Sequence, residues 1–261
     1  MTPIFRAGLA AALPLLLALP AHAEWQGGIA LGTRDARHTE YDASGRRLVQ
    51  EKGWLPGVTL DAGYRTGDFT WSGALEWYRH DIDYQGQTQG GTSAGSTTST
   101  GLAALRLGGA YAIGAGYSVQ AAFEADRWKR DIQGSGASAG LQESYRSRRL
   151  VAGLAKAWQP ALGTVAADAA VVLAEPERLH VGFSGLLDPV SFDTRRAHGW
   201  RLGASLRPAS VPWLELRARY DWMTVPRSGD AEITRNGQFA GTVAQPEHKR
   251  QALSLSVGYR F

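Results

Sequence analysis

The 261-residue sequence contains no cysteine, which excludes a disulfide framework and any thiolate-bound zinc or iron–sulfur centre. Beyond residue 23 it has no uninterrupted apolar run of about 18 residues, so it offers no candidate transmembrane helix. Its six histidines show no metal-ligand spacing, and it has neither a phosphate-binding glycine motif nor a G-x-S-x-G elbow. We therefore predict no bound metal and no cofactor of these kinds.

The first 23 residues have the composition of a secretory signal peptide. Arg6 supplies a positive start, residues 7–19 are apolar, and Ala21-His22-Ala23 has the small-x-small pattern of a cleavage site. We predict a signal peptide over 1–23 and one domain over 24–261. Without Arg6 the chain has 27 Lys and Arg against 24 Asp and Glu, a charge of +3. Export and this small charge argue against a nucleic-acid partner.

The remaining sequence is dominated by alternation of apolar and polar side chains. In the last stretch one face carries Gln251, Leu253, Leu255, Val257, Tyr259 and Phe261, and the other carries Arg250, Ala252, Ser254, Ser256, Gly258 and Arg260. The same period of 2 recurs in 69–80, 117–126 and 212–223. This pattern predicts β-strands with one apolar face.

Ten such segments alternate with short and long connections. They cover 25–36, 54–64, 69–82, 101–112, 117–130, 145–158, 164–175, 195–206, 213–225 and 248–261. The short connections are 65–68, 113–116, 159–163 and 207–212, and the long polar ones are 37–53, 83–100, 131–144, 176–194 and 226–247. This layout predicts a ten-stranded antiparallel transmembrane β-barrel with short periplasmic turns and long extracellular loops.

The aromatic residues support the barrel independently, because they fall at two heights. One set flanks the short turns and the termini: Trp25, Tyr64, Phe69, Tyr111, Tyr117, Trp158, Trp213 and Phe261. The other lies toward the long loops: Trp54, Trp77, Phe123, Trp200 and Trp222. Two girdles of this kind are typical of outer-membrane barrels. The alternative, a soluble β-sandwich with an aromatic core, would leave one apolar face of each sheet uncovered.

The last strand and the lumen give two further expectations. A final strand that ends in Phe261 resembles the signal recognised by the bacterial outer-membrane insertion machinery, which we expect as a partner together with outer-membrane lipid. Alternation places many charged groups inside: Asp61, Glu76, Tyr78, His80, Arg106, Glu124, Asp126, Asp168, Arg201, Glu215, Arg217, Arg219, Asp221, Arg250 and Arg260. Since ten strands enclose little space, we expect these groups to pair as an ionic filling rather than to line a wide pore.

The ten-strand layout resembles the omptins, a family of outer-membrane proteases. Omptins carry an Asp-x-Asp pair at the end of the third strand, where this chain has Asp81 and Asp83, and an Asp-His dyad near the end of the seventh, where it has Glu177-Arg178-Leu179-His180. The resemblance implies Asp81, Asp83 and His180 as candidate catalytic residues that activate a water. Against it, Glu177 and His180 have opposite strand parity, and the omptin Trp-Thr-Asp motif is absent from 85–100. The alternative is a solvated loop mouth.

Omptins also bind lipopolysaccharide through basic residues on their outer surface. The fifth predicted strand contains Phe-Glu-Ala-Asp-Arg-Trp over 123–128, which resembles the omptin fifth strand. The outward basic residues of strands five, six and eight are Arg127, Lys129, Arg146, Arg148 and Arg196. The resemblance implies that they bind lipid phosphate, for which an arginine fork is suited. The alternative is ordinary basic decoration of an outer rim.

Three functions remain open from the sequence. The first is a non-enzymatic, porin-like surface barrel of the Gram-negative outer membrane, with lipopolysaccharide as a candidate ligand. The second is an omptin-like endopeptidase with a diverged dyad. The third, a lipid-modifying hydrolase, needs an outward-facing Ser/His pair, for which His198 is the only candidate that the pattern indicates.

Overall fold

Ten antiparallel strands close into a ring in the computed structural model, which describes residues 24–87, 93–134 and 139–261. The strands in chain order are β1 (Glu24–Tyr41), β2 (Arg47–Thr66), β3 (Phe69–Gln87), β4 (Ser93–Gly114), β5 (Tyr117–Ile132), β6 (Leu141–Trp158), β7 (Gly163–Ala174), β8 (Arg178–Gly182), β9 (Val190–Asp193), β10 (Ala197–Pro208), β11 (Leu214–Val225), β12 (Ala231–Arg235), β13 (Gln238–Val243) and β14 (Glu247–Arg260). The hairpins β8–β9 and β12–β13 lie outside the ring, and the other ten strands form it. The predicted fold class is confirmed. The predicted signal peptide, 1–23, lies outside the described residues.

The barrel closes between its first and last strands. β1 pairs with β2 on one side and with β14 on the other, from Gly28 opposite Arg260 to Tyr41 opposite Glu247. Beyond this register Gly27 and Phe261 exchange two backbone hydrogen bonds of 2.8 and 3.0 Å. The ring therefore has no unpaired edge, which satisfies the backbone polar groups of a chain that crosses lipid. In the described ranges no helix is long and apolar enough to span a membrane.

The four short connections are found where the sequence predicts them, but the strands extend much further at the opposite end. In their described residues the predicted loops 37–53 and 83–100 are largely strand, because β1 continues to Tyr41, β3 continues to Gln87, and β2 and β4 begin at Arg47 and Ser93. Only the ends of 131–144 are strand, where β5 continues to Ile132 and β6 begins at Leu141. Both faces of these extensions carry polar residues, so hydropathy alternation ends while the backbone ladder continues. The two remaining long connections contain the hairpins β8–β9 and β12–β13.

The two hairpins at the long-loop end are joined through one carboxylate. Asp188 accepts hydrogen bonds from the Thr234 hydroxyl at 2.6 Å and from the backbone N–H groups of Gly237 and Asn236 at 2.9 and 3.2 Å. Its own N–H donates to the Thr234 carbonyl at 2.8 Å. The Thr234 hydroxyl and the two N–H groups hold the pKa of Asp188 below its ordinary value, because they favour the charged form.

The barrel exterior is a band of exposed apolar side chains. Ile29, Leu75, Val119, Leu154 and Val171 are between 42% and 57% exposed. Near the short turns, Trp25 packs against Tyr64 and Trp213 against Tyr259, with ring centroids 5.0 and 5.7 Å apart. At the other end Trp200 stacks on Trp222 at 6.2 Å. An apolar band between aromatic groups is the surface that a bilayer covers, and it is incompatible with a water-exposed sandwich.

Candidate functional site

A charged layer fills the middle of the barrel. Arg201 makes a two-pronged contact with Glu124, at 2.5 and 3.1 Å, and donates to Asp221 at 2.5 Å. Arg219 donates to both oxygens of Glu76, at 2.6 and 2.7 Å. These residues come from β3, β5, β10 and β11, whose inward positions face one another across the lumen. The predicted ionic filling is confirmed at this height.

A second ionic layer lies nearer the short turns. Arg217 donates to Asp61 at 2.9 Å and to Glu215 at 2.5 Å. Arg260 pairs with the same two acids, at 2.6 Å for Glu215 and at close range for Asp61.

One residue that was predicted to face the lumen differs: His80 has inward parity but is exposed. It lies where β2 and β3 show no pairs between Lys52–Asp83 and Gly57–Tyr78, a gap that contains Pro56, which has no N–H to donate.

A third layer, near the long loops, was missed by the sequence analysis. The Arg130 side chain is 1% exposed, and its nitrogens lie 2.9 Å from Glu51, 2.5 Å from Glu143 and 3.4 Å from Glu40. The Tyr145 hydroxyl donates to Glu143 at 2.8 Å. All three acids lie in segments that the sequence analysis assigned to loops. Only Glu143 has a sequence signal, the faint alternation in 141–145.

Aromatic and histidine rings complete the third layer. His38 lies 4.9 Å from His248 and 5.1 Å from Trp128, measured between ring centroids. The Arg250 guanidinium stacks 4.5 Å from the Trp128 ring and donates to both oxygens of Glu177, at 2.6 and 2.7 Å. His38 and His248 are 3% and 0% exposed, so neither presents a face to a substrate. This cluster fills the outer end of the lumen.

Between the middle and outer layers lies a cavity of about 120 Å³. Its apolar wall includes Leu55, Ile82, Leu102 and Met223. This volume holds a few water molecules and neither a peptide segment nor a lipid chain. Among the residues described, no three His, Asp or Glu are arranged to hold a metal ion. This cavity therefore offers no site for a large substrate.

The three catalytic candidates lie on the outside of the barrel rather than at its mouth. Asp81 and Asp83 are exposed and flank the buried Ile82, while His180 is exposed between the buried Leu179 and Val181. Four inter-strand steps separate β3 from β8, or about 19 Å around the barrel at about 4.8 Å a step. The omptin-like arrangement implied by the resemblance is not formed.

The acid nearest to His180 in the sequence is engaged elsewhere. Glu177 is fully buried, and its carboxylate binds Arg250 and lies 4.0 Å from Arg149. It faces the lumen, as expected from its parity opposite to His180. His180 instead has Nδ1 2.9 Å from the Ser191 hydroxyl oxygen.

Two of the basic candidates, Arg127 and Lys129, lie on an outward-facing surface that we call the outer groove. It is formed with Arg79, Gly101 and Ala103 and is continued by Ser144 and His180. The ladders place Arg79, Gly101, Lys129, Ser144 and His180 in one row across β3, β4, β5, β6 and β8. Gly101 and Ala103 have little or no side chain, so the floor between the cations is low. Asp131 also lines the groove, on the side that lies away from the apolar band.

Two of the other basic candidates, Arg146 and Arg148, border the groove. Arg146 lies opposite Arg127 in the ladder, and Arg148 lies two residues nearer the apolar band, where Leu150 is 63% exposed. Arg196 is exposed in the segment between β9 and β10. Over the residues described, none of these or of the groove cations forms an ion pair with a carboxylate, whereas the lumenal arginines are paired. The strand parity on which these candidates were chosen is confirmed, and lipid binding stays a prediction.

Comparison with known proteins supports the fold alone. No family model matches the sequence, and no curated protein sequence matches it. Among solved structures, the outer membrane protease OmpT from Escherichia coli is similar with a TM-score of 0.55 at 11% identity, over 91% of this chain and 96% of that chain. The translocator domain of autotransporter NalP from Neisseria meningitidis has a TM-score of 0.48 at 14% identity, over 90% and 88%. The remote omptin-like resemblance is thus supported as an outer-membrane barrel fold.

Proposed function

We propose that this chain is an integral outer-membrane protein whose outer groove binds the phosphate groups of lipid, with lipopolysaccharide as the ligand. One observation carries the proposal: exposed cations without acidic partners among the described residues stand immediately beyond the apolar band. A cation without an acidic partner is free to bind an external anion. The outer boundary of the band is the height at which lipid phosphates lie.

The geometry of the groove favours a phosphate over a single carboxylate. Arg127 and Arg146 face each other on adjacent strands, and Arg148 lies diagonally beside them. Neighbouring strands lie about 4.8 Å apart, so several guanidinium and ammonium groups can approach one phosphate. Hydrogen bonds to a charged group contribute about 1.5–3 kcal/mol each.

The test is lipid binding by the refolded barrel with and without these cations. Arg127→Ala with Arg148→Ala should weaken lipopolysaccharide binding at least about tenfold, because two charge-assisted contacts are lost. The matched control is Arg37→Ala with Lys52→Ala, which removes two outward cations from β1 and β2 at the same end of the barrel. Equal affinity in both double variants would refute the proposal. Dephosphorylated lipopolysaccharide should bind to wild type no better than to the groove variant.

Export and assembly are part of the same proposal. Residues 1–23 direct secretion and are removed, and β14 together with the following Phe261 is recognised by the outer-membrane insertion machinery. N-terminal sequencing of the membrane-inserted protein should begin at Glu24. A mature protein that retains Arg6 would contradict the cleavage site.

The endopeptidase alternative makes a different prediction. It needs Asp81, Asp83 and His180 to share a water, whereas these side chains lie on separate outward positions. We expect that the refolded protein, with or without lipopolysaccharide, cleaves no member of a broad peptide library. Cleavage that is lost in Asp83→Ala would favour the protease function instead.

A further inference from the structure

A serine and a histidine form an exposed pair beside the outer groove. Ser191 on β9 lies opposite His180 on β8 in the ladder, and the Ser191 hydroxyl oxygen is 2.9 Å from His180 Nδ1. This distance is within the range of a nucleophile hydrogen-bonded to its base. Sequence periodicity does not predict this pair, because the two residues meet only through the hairpin.

The pair is accessible from outside the barrel. His180 alternates with the buried Leu179 and Val181, so its ring faces outward, and Ser191 is exposed on the same side. His180 also lines the outer groove, in the same ladder row as Lys129 and Arg79. A molecule held by the groove cations would therefore lie next to the serine hydroxyl.

The backbone of β9 supplies a further group that such chemistry needs. The Thr194 N–H donates to the Glu177 carbonyl at 2.9 Å, which fixes the direction of alternate N–H groups along this strand. By the period of 2, the Ser191 N–H points the other way, to the edge of β9 that has no ladder partner in the described chain. A backbone N–H at that edge can donate to an oxyanion that develops next to the hydroxyl.

We propose that Ser191 and His180 are a nucleophile and general base that hydrolyse a carboxylic ester on a phosphorylated lipid held in the outer groove. This proposal rests on the lipid-binding function proposed above. The substrate class follows from the position of the pair: an ester within reach of the hydroxyl, on a molecule whose phosphate binds Lys129 and Arg79.

The reaction has two steps, acylation of the serine and hydrolysis of the acyl–serine ester. The Ser191 oxygen attacks the ester carbonyl carbon while its proton passes to His180 Nδ1, and the alcohol leaves with that proton as the acyl–serine ester forms. Water then attacks the acyl carbon and gives one proton to His180. The carboxylic acid leaves, and the proton returns from His180 to the serine oxygen.

Electrostatics make this chemistry depend on the phosphate. His180 becomes a cation in each step, and Lys129, two strands away in the same ladder row, opposes that charge. A phosphate bound to Lys129 offsets the repulsion. An ester lipid with a phosphate should therefore be hydrolysed faster than the same lipid without one.

The experiment uses the refolded full barrel in vesicles of diether phosphatidylcholine, which contains no carboxylic ester. The added probe is lipopolysaccharide, phosphatidic acid or diacylglycerol, and the released carboxylic acid is measured by mass spectrometry. We expect release from lipopolysaccharide or phosphatidic acid and much less from diacylglycerol. Ser191→Ala and His180→Gln should each lower the rate at least about a hundredfold, the usual scale for loss of a base. Ser44→Ala, at an exposed serine between β1 and β2 and outside the groove, should not.

A second readout separates the pair from the lipid. A fluorophosphonate should label Ser191 in wild type and in Ser44→Ala but not in His180→Gln, as seen by peptide mapping. Lipid binding without acid release or labelling would overturn the hydrolase and leave the proposed binding function intact. Labelling and release from diacylglycerol without binding of phosphorylated lipid would refute the groove as the substrate site. Wild-type release by Ser191→Ala would overturn the proposal altogether.

Discussion

Removal of the Arg201 guanidinium should destabilise the whole barrel. This side chain is 6% exposed and neutralises Glu124 and Asp221, which are 10% and 18% exposed. In Arg201→Met, Asp221 keeps Arg219 at 3.2 Å, but Glu124 keeps only Arg106 at 3.7 Å. Removal of one partner from a buried ion pair costs about 3–5 kcal/mol, so we expect a loss of that size in the free energy of unfolding.

The assay is urea unfolding of the refolded barrel in detergent micelles, followed by tryptophan fluorescence. The double variant Arg201→Met with Glu124→Gln should lose less than Arg201→Met alone, because it also removes the stranded carboxylate. The control is Arg178→Met, which breaks the exposed pair with Asp193 and should cost about 0–1 kcal/mol. If Arg201→Met costs no more than Arg178→Met, the middle layer does not stabilise the fold and the reasoning fails.

Three other perturbations test different parts of the molecule. Val119→Lys, on the lipid face, should cost about 2–4 kcal/mol of unfolding free energy, whereas Gln120→Lys, on the lumen face, should cost less; equal losses in urea titrations would mean the parity is wrong. Deletion of Phe261 removes the two backbone hydrogen bonds to Gly27 and should lower the yield of heat-modifiable barrel in the membrane without lowering synthesis, so an unchanged yield would count against it. The depressed pKa of Asp188 means that its carboxylate stabilises the hairpin junction above the ordinary carboxyl pKa, and that this stabilisation is lost as pH falls through the lowered value. Cleavage of residues 226–246 by pepsin should therefore rise toward low pH more in wild type than in Asp188→Ala, and parallel pH profiles would contradict the junction.

The strands could be predicted where one side of each faces lipid. In β5, Val119, Ala121 and Phe123 alternate with polar residues, and the segment lies within two residues of its predicted bounds. Above the apolar band this contrast disappears: Thr98 and Thr100 point inward while Ser99 points outward, and all three are polar. Periodicity therefore predicts that the fourth strand begins at residue 101, whereas its backbone ladder begins at Ser93.

The candidate site could be predicted only in its outward half. The alternation of inward and outward side chains is a local property of each strand. It predicts that Arg127, Lys129, Arg146 and Arg148 face outward, and all four are exposed in the structure. The pairing of His180 with Ser191 is not local, because it depends on the register of a hairpin inside a segment assigned to a loop. His180 was selected through the omptin resemblance, in a role that its outward position does not support.

The sequence by itself determined the number of barrel strands, the short turns and the direction of side chains across the apolar band. There the alternation of lipid-facing and lumen-facing residues is a local property of each strand. Only the tertiary structure decided which charges pair across the lumen. Arg201 is 77 residues from Glu124, and Arg250 is 73 from Glu177. These partners are set by the stagger and closure of all ten strands together. The same closure brings Arg79 of β3, Lys129 of β5 and His180 of β8 into one row on the outer surface.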